Sequence, residues 1–147
     1  KGLLMAARFE EIIENFGFLD DWEDRYRYLI ELGKDLPPLN ENEMNEETRV
    51  KGCASQVWVI PSVDRSGAEP ILSFRGQSDA HIVKGLVALT LALYSGHTAS
   101  EILAIDALDL FRSIGLAEHL TPQRSNGVRS MIDRIRQDAK HTLASTP

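Results

Sequence analysis

The fold of this chain is organised by residues 82–94, which read Ile82-Val83-Lys84-Gly85-Leu86-Val87-Ala88-Leu89-Thr90-Leu91-Ala92-Leu93-Tyr94. Apolar side chains point in almost every direction around a helical turn, and Lys84 carries the only charge. Such a pattern predicts a helix that is buried on nearly all sides. The run is shorter than the roughly 20 residues that a bilayer-spanning helix needs. We therefore expect a central core helix opening at Ser78-Asp79, where a capping residue and an acidic side chain suit a helix start.

Two helices are predicted before this core helix. Residues 3–16 carry apolar side chains at the spacing of one helical stripe, and Gly17 ends the pattern. A second helix begins with Asp20 as its cap and stops before Pro37, because proline cannot continue a helix. Residues 39–47 have no apolar period and many turn formers, which indicates a mobile surface loop.

Three shorter helical patterns follow the core helix. Thr98 and Glu101 have the spacing of a capping box and predict a short helix, and another is expected from about Asp106 to Gly115. Residues 121–127 contain Thr-Pro and Asn-Gly pairs, which are typical of a loop. Apolar residues at helical spacing then predict a final helix over residues 128–139.

Between the second helix and the core helix the apolar period changes from helical spacing to two. Val57 and Val59 face one way, and Pro61 closes the predicted strand. Turn residues at 64–67 and a second strand-like run at 70–75 complete an antiparallel hairpin, with a possible short third strand at Thr48–Lys51. The predicted fold class is α+β, with helices packed around a small antiparallel β-sheet of about three strands.

Length and composition limit the classes of protein. The chain has 147 residues, 43% of them apolar and 26% charged, which fits one domain over residues 1–147. Cys53 is the only cysteine, so no internal disulfide is possible, and the four histidines are too scattered for a common zinc site. No signal segment or membrane span is recognisable, and we expect a soluble cytoplasmic protein without a metal or cofactor of its own.

The acidic charge is concentrated near the amino end. Residues 10–47 carry thirteen acidic and three basic side chains, against a net charge of −6 for the whole chain. This distribution argues against nucleic acid as a partner, because phosphates would be repelled. It is compatible with solvated helix faces, and also with the electrostatic attraction of a protein that has a basic surface.

Cys53 is the strongest candidate for a reactive group. It lies between Gly52 and Ala54 at the entrance to the first strand, where flexible loops often carry functional side chains. Lys51 and Arg49 are basic neighbours that would favour the reactive thiolate. The alternative is a buried structural cysteine, since free cysteine is among the most buried residue types. No nucleophile elbow or phosphate-binding glycine loop is present to compete with it.

Four blocks of sequence together resemble the SufE family of sulfur-acceptor proteins. The block around the thiol reads Arg49-Val50-Lys51-Gly52-Cys53-Ala54-Ser55-Gln56-Val57-Trp58. The others, in family order, are Tyr28–Lys34 with Leu36-Pro37, Ser78–Leu86 and Leu120–Gly127. Ala54 and Asn126 depart from the residues that are frequent in the family, and neither change affects the thiol.

The resemblance implies an α+β fold and a mechanism. In it, Cys53 rests in an apolar cavity, takes persulfide sulfur from a pyridoxal-phosphate-dependent cysteine desulfurase, and passes the sulfur to an iron-sulfur cluster scaffold. Gly52, Lys51 and Ser55 belong to the same motif. We expect Arg124 and Asp79, from two other blocks, to lie near Cys53, with Arg124 favouring the thiolate and Asp79 orienting Arg124. Alternatively, Asp79 only caps the core helix and Arg124 only anchors a loop.

Two other functions stay open at this point. A cysteine hydrolase or transferase would need a histidine base, His81 or His119, within hydrogen-bond reach of Cys53. A non-catalytic adaptor, or a regulatory binding partner of a pyridoxal-phosphate enzyme, would tolerate loss of the thiol.

Overall fold

The computed structural model describes residues 2–145, with side chains from residue 8 onward. Over this range the chain forms six α-helices and a three-stranded antiparallel sheet, which confirms the predicted α+β class. The elements in chain order are α1 Gly2–Phe18, α2 Trp22–Lys34, β1 Val57–Asp64, β2 Ile71–Ser78, α3 His81–Tyr94, β3 His97–Thr98, α4 Ala99–Ala104, α5 Ala107–Ser113 and α6 Pro122–Ala144. None of the helices in residues 2–145 has the length and apolar character to cross a membrane.

Helix α3 is the centre of the core, as its sequence predicts. Every residue from Gly85 to Tyr94 is buried except Ala88. Helix α2 lies directly against it at Gly33 and Gly85, where the two backbones approach too closely for a side chain. On another side α3 packs against the sheet, and Gly76 of β2 makes room for Val87 and Leu91. The apolar run therefore determines where the other elements pack.

The sheet differs from the predicted one in three details. Strand β2 runs to Ser78, three residues beyond the predicted end of the second strand. Strand β1 continues through Pro61, which pairs with Phe74 of β2. The Val59 amide donates away from β2, to the carbonyl of Thr48. The backbone nitrogens of Val59 and Pro61 point to the same side, because alternate residues of a strand do so. Pro61 therefore removes no hydrogen bond between β1 and β2. The third strand is β3, paired with Ile71 and Leu72, and the residues expected to form it, Thr48–Lys51, contribute only a bridge from Arg49 to Trp58.

The boundaries of the first three helices differ from the predicted ones. Helix α1 runs through Gly17 to Phe18, and α2 is capped by Asp21, not Asp20. Helix α3 has Ala80 at its N-cap, so neither Ser78 nor Asp79 occupies the capping position. The capping box at Thr98 is confirmed, and Asp106 is the N-cap of α5, at the predicted start of that helix.

Helix α6 begins six residues earlier than predicted. The hydroxyl of Thr121 accepts from the Arg124 amide, and Pro122 occupies the first turn, where its missing N–H costs nothing. Asn126 and Gly127 therefore lie inside the helix, because a strong cap outweighs their turn preference. Arg124 is consequently a residue of the first helical turn and does not belong to a loop.

Residues 39–47 form a loop, as predicted, but the loop is tied by several hydrogen bonds. The Thr48 hydroxyl donates to the Glu43 carbonyl, and Glu43 forms an ion pair with Arg75 of β2. Asn45 caps a turn by accepting from the amide of Thr48. The loop therefore delivers the chain to the outer edge of β1 in a defined place.

Candidate functional site

A cavity of about 220 Å³ lies beside Cys53. Three segments meet there: the connection from residue 51 to 56, hereafter the thiol loop, the first turns of α3, and the first turns of α6. The lining residues are Cys53, Ala54, Ser55, Ala80, Val83, Leu86, Gln123, Arg124, Gly127, Val128 and Met131. The α3 and α6 walls are largely apolar, and the polar groups come from the thiol loop and the start of α6.

The sulfur of Cys53 is held against helix α6. The thiol is partly buried and donates to the Gly127 carbonyl, with 3.6 Å between Sγ and the oxygen. A side chain at Gly127 would lie at contact distance from the sulfur, since an added Cβ would be 3.7 Å from Sγ. The absence of a side chain there leaves the space in front of the thiol open to the cavity.

Burial and a neighbouring positive charge shift the pKa of this thiol in opposite directions. Loss of solvation raises the pKa of Cys53 above its ordinary value, and the positive charge of Arg49 partly offsets that rise. The thiol is therefore mostly protonated near neutral pH, and the reactive thiolate is a minor form. Such a sulfur is protected from chance oxidation until its surroundings change.

The thiol loop has a closed base. The Val50 amide donates to the Val57 carbonyl at 2.8 Å, so the chain enters and leaves the loop side by side. Within the loop, Gly52 has a φ of 90°, which glycine adopts without strain, and its α-carbon lies against Ser130 of α6. An added Cβ at Gly52 would be 2.6 Å from the Ser130 hydroxyl oxygen. Gly52 is therefore needed for both its conformation and its contact.

The predicted supporting residues take different places. Arg124 lines the cavity with Cys53 and Ser55. Asp79 does not line it, and its carboxylate accepts from the Gln56 amide at 3.1 Å. Among residues 8–145 no ion pair joins Asp79 to Arg124, so the expected orienting contact between them is not formed in this structure. Asp79 instead fixes the end of the thiol loop.

Lys51 is exposed, and its charge is paired with a carboxylate. Its ammonium group pairs with Glu46 at 2.7 Å. The cation that lowers the pKa of the Cys53 thiol is Arg49, which precedes Lys51 by two residues. Both residues are basic candidates in the sequence, and the path of the chain decides which of them acts on the thiol.

Several cavity residues carry no sequence signal that links them to the thiol. The local patterns place Gly127 in a loop and Val128 in a helix core, and Val83 and Met131 fit core-facing helical stripes. Helical spacing indicates that such residues are buried, but it does not show that they face Cys53. Neither of the two candidate histidine bases for a hydrolase is in the cavity wall: His81 is exposed, and His119 stacks on Trp22 with 4.0 Å between ring centres.

The pH dependence of alkylation tests this electrostatic description. Reaction of Cys53 with iodoacetamide is expected to rise with pH around a midpoint above that of an unhindered thiol, because the pKa is raised and the thiolate reacts. Arg49→Gln should raise the pKa further and slow the reaction at pH 8 about threefold. Lys34→Gln removes an equal charge from a surface pair with Glu31 and should change nothing. A midpoint at the ordinary value would contradict the burial of the thiol.

Comparison with known proteins relates this chain to one family. Residues 10–139 match the family model described as SufE: Fe-S metabolism associated domain. An uncharacterized SufE-like protein of Rhizobium etli is 58% identical over 142 residues, which cover 97% of this chain and 96% of the relative. A similar protein of Rhizobium meliloti is 57% identical over 134 residues, covering 91% of this chain and 96% of that one.

A solved structure shares the fold. The solution structure of a hypothetical protein from Thermus thermophilus superimposes with a TM-score of 0.69 at 26% sequence identity. The match covers 93% of this chain and 96% of the other. The arrangement of helices around the small sheet is therefore shared over nearly the whole length of both chains.

Proposed function

The chain belongs to the SufE family of Fe-S metabolism associated domains, and we propose that it accepts sulfur on Cys53 from a cysteine desulfurase. The observation that carries this proposal is the Cys53 thiol itself. It is the only cysteine of the chain, and it faces a cavity with room beyond the sulfur. An added sulfur atom would extend from Sγ into space that is already present.

The transfer is a thiol–disulfide exchange in its chemistry. The Cys53 thiolate attacks the outer sulfur of a persulfide on the desulfurase, and a new S–S bond forms at Cys53. The bond between the two sulfurs of the desulfurase persulfide breaks, and the enzyme cysteine leaves as a thiolate. One S–S bond is exchanged for another, so no external oxidant or reductant is consumed.

The raised pKa of Cys53 gives the desulfurase a part in the reaction. In the free protein the thiol is partly buried and mostly protonated, so it reacts slowly. Moving the thiol loop toward solvent, or toward a cationic surface of the partner, would lower the pKa and increase the thiolate fraction. Reaction would then be confined to the complex.

Arg124 is the residue that we assign to the anion after transfer. A persulfide at Cys53 would extend into the cavity whose wall includes the Arg124 side chain. Arg124 makes no ion pair within residues 8–145, so its guanidinium is not neutralised by a carboxylate there. A cation in this position would stabilise a terminal persulfide anion. Delivery of this sulfur to an iron-sulfur cluster scaffold completes the proposed role.

Alanine release from free cysteine by a desulfurase tests the proposal. Adding this protein is expected to increase steady-state release, because it removes the enzyme-bound persulfide that blocks the next turnover. The protein alone should release no alanine. Because Arg124 is exposed, the Arg124→Ala variant should fold normally. It should stimulate alanine release less than the unmodified protein does. If desulfurases of several types were all unaffected by the unmodified protein, the proposed function would be wrong.

A further inference from the structure

One face of helix α6 lies along the chain segment that leads to Cys53. Gly127, Ser130, Arg134 and Asp138 are spaced by three, four and four residues, so they share that face. The Gly127 carbonyl accepts from the thiol, and Ser130 contacts Gly52. Further along the same face, Arg134 reaches the segment just before the thiol loop.

Arg134 makes two hydrogen bonds to main-chain carbonyls of this segment. Its guanidinium donates to the Arg49 carbonyl at 3.1 Å and to the Glu47 carbonyl at 2.5 Å. These two carbonyls point away from the sheet, because the alternate groups of Thr48 and Val50 are the ones bonded to β1. Arg134 therefore donates hydrogen bonds to the carbonyls of this segment that β1 leaves unpaired.

Asp138 holds the guanidinium from the next turn of α6. Its carboxylate is 3.5 Å from Nε of Arg134, and the side chains of Arg134 and Asp138 are only 21% and 18% exposed. Because water has little access, the orientation of the arginine is set by protein groups. A lysine in place of Arg134 would lack the planar fork that bonds two carbonyls and a carboxylate at once.

We propose that Arg134, oriented by Asp138, is a positioning residue that fixes the entry to the thiol loop and so sets the exposure of Cys53. This inference rests on the proposed function, since it assigns Arg134 a part in presenting the sulfur acceptor. Asp79 fixes the other end of the loop through the Gln56 amide. Motion is thereby restricted to the residues between these two anchors, and the thiol is kept beside the cavity.

Removal of the anchor has opposite effects on a small reagent and on a protein partner. In Arg134→Gln the loop opens more often, and iodoacetamide should modify Cys53 roughly fivefold faster at neutral pH. The midpoint of the pH profile should fall toward that of an unhindered thiol, because burial is the larger influence on the pKa. Sulfur transfer from a desulfurase should become slower, since a loose thiol is less often in the reactive geometry.

Arg136→Gln is the matched control. Arg136 is on the same helix and also donates to a main-chain carbonyl, that of Leu103 at 2.9 Å, but it does not contact the thiol segment. It should lower stability without changing the alkylation rate or its midpoint. Arg134→Lys should give an alkylation rate between those of the unmodified protein and Arg134→Gln. If Arg134→Gln does not fold, Arg134→Lys tests the positioning role in its place.

The outcomes separate the two proposals. Equal alkylation rates and midpoints in Arg134→Gln, Arg134→Lys and the unmodified protein would overturn the positioning role. This conclusion would hold whether or not sulfur is transferred to Cys53. Faster alkylation in the Arg134 variants, with no sulfur reaching Cys53 even in the unmodified protein, would support the positioning role and refute the sulfur-acceptor function. A change of the same size in Arg136→Gln would show a general loosening of α6 and would also overturn the proposal.

Discussion

Cys53→Ser is expected to abolish sulfur acceptance completely. The unmodified protein, incubated with a cysteine desulfurase and cysteine, should gain the mass of one or more sulfur atoms on the peptide that contains Gly52-Cys53-Ala54. Reduction should remove the added mass. The loss in the variant is total and not partial, because the chain has no second cysteine on which a persulfide could form.

The fold should survive this substitution. The serine hydroxyl is close in size to the thiol and can donate to the same Gly127 carbonyl. Absence of added sulfur on Cys53, while the desulfurase itself becomes persulfidated, would refute the central claim. If Cys53→Ser still stimulated alanine release as the unmodified protein does, the chain would act as a non-catalytic adaptor of the enzyme.

Gly85→Ala is expected to cause a large loss of stability. An added Cβ would lie 2.3 Å from the Leu29 carbonyl oxygen and 2.6 Å from its carbon. Both are backbone atoms of α2, so the clash can be relieved only by moving one helix away from the other. Overpacking of a core costs typically 1–3 kcal/mol and sometimes more, and we expect about 3 kcal/mol here because two helix backbones must separate. Urea unfolding followed by circular dichroism measures the change.

Gly17→Ala is the matched control for this prediction. It is also a helical glycine, but apart from its chain neighbours and the adjacent backbone of its own helix no atom lies within 4 Å of the position of an added Cβ. Alanine is favoured over glycine in a helix by up to about 1 kcal/mol, so this variant should be slightly more stable than the unmodified protein. A Gly85→Ala protein as stable as the unmodified one would mean that α2 and α3 are further apart than the structure places them.

The contact at Gly85 also bears on the site. Val83 and Leu86, on either side of it in α3, line the cavity beside Cys53. A helix that shifts to accommodate a methyl group would change the shape of that wall. We therefore expect Gly85→Ala to alter thiol reactivity as well as stability, whereas Gly17→Ala should leave reactivity unchanged.

Local patterns are sufficient to predict most of the elements. The apolar run of α3, the capping box at Thr98 and the two-residue period of β1 each depend on residues that are close in sequence, and the structure confirms all three. One of the errors arises where two local signals compete. At the start of α6, the Thr121 cap and Pro122 outweigh the turn preference of Asn126-Gly127, because the helix gains packing along its whole length.

The α+β class, the buried central helix and the identity of the one thiol follow from the amino-acid sequence, since periodicity and a single cysteine need no knowledge of distant residues. The groups that surround that thiol follow from the packing of the helices. These groups are in place because of where helices α3 and α6 lie relative to the thiol loop. They are the Gly127 carbonyl, the charge of Arg49, the Asp79 carboxylate bonded to the Gln56 amide, and the Arg134 guanidinium. Arg134 and Arg49 are 85 positions apart in the chain. Contacts over such separations follow from the packing of whole elements, and no local period records them.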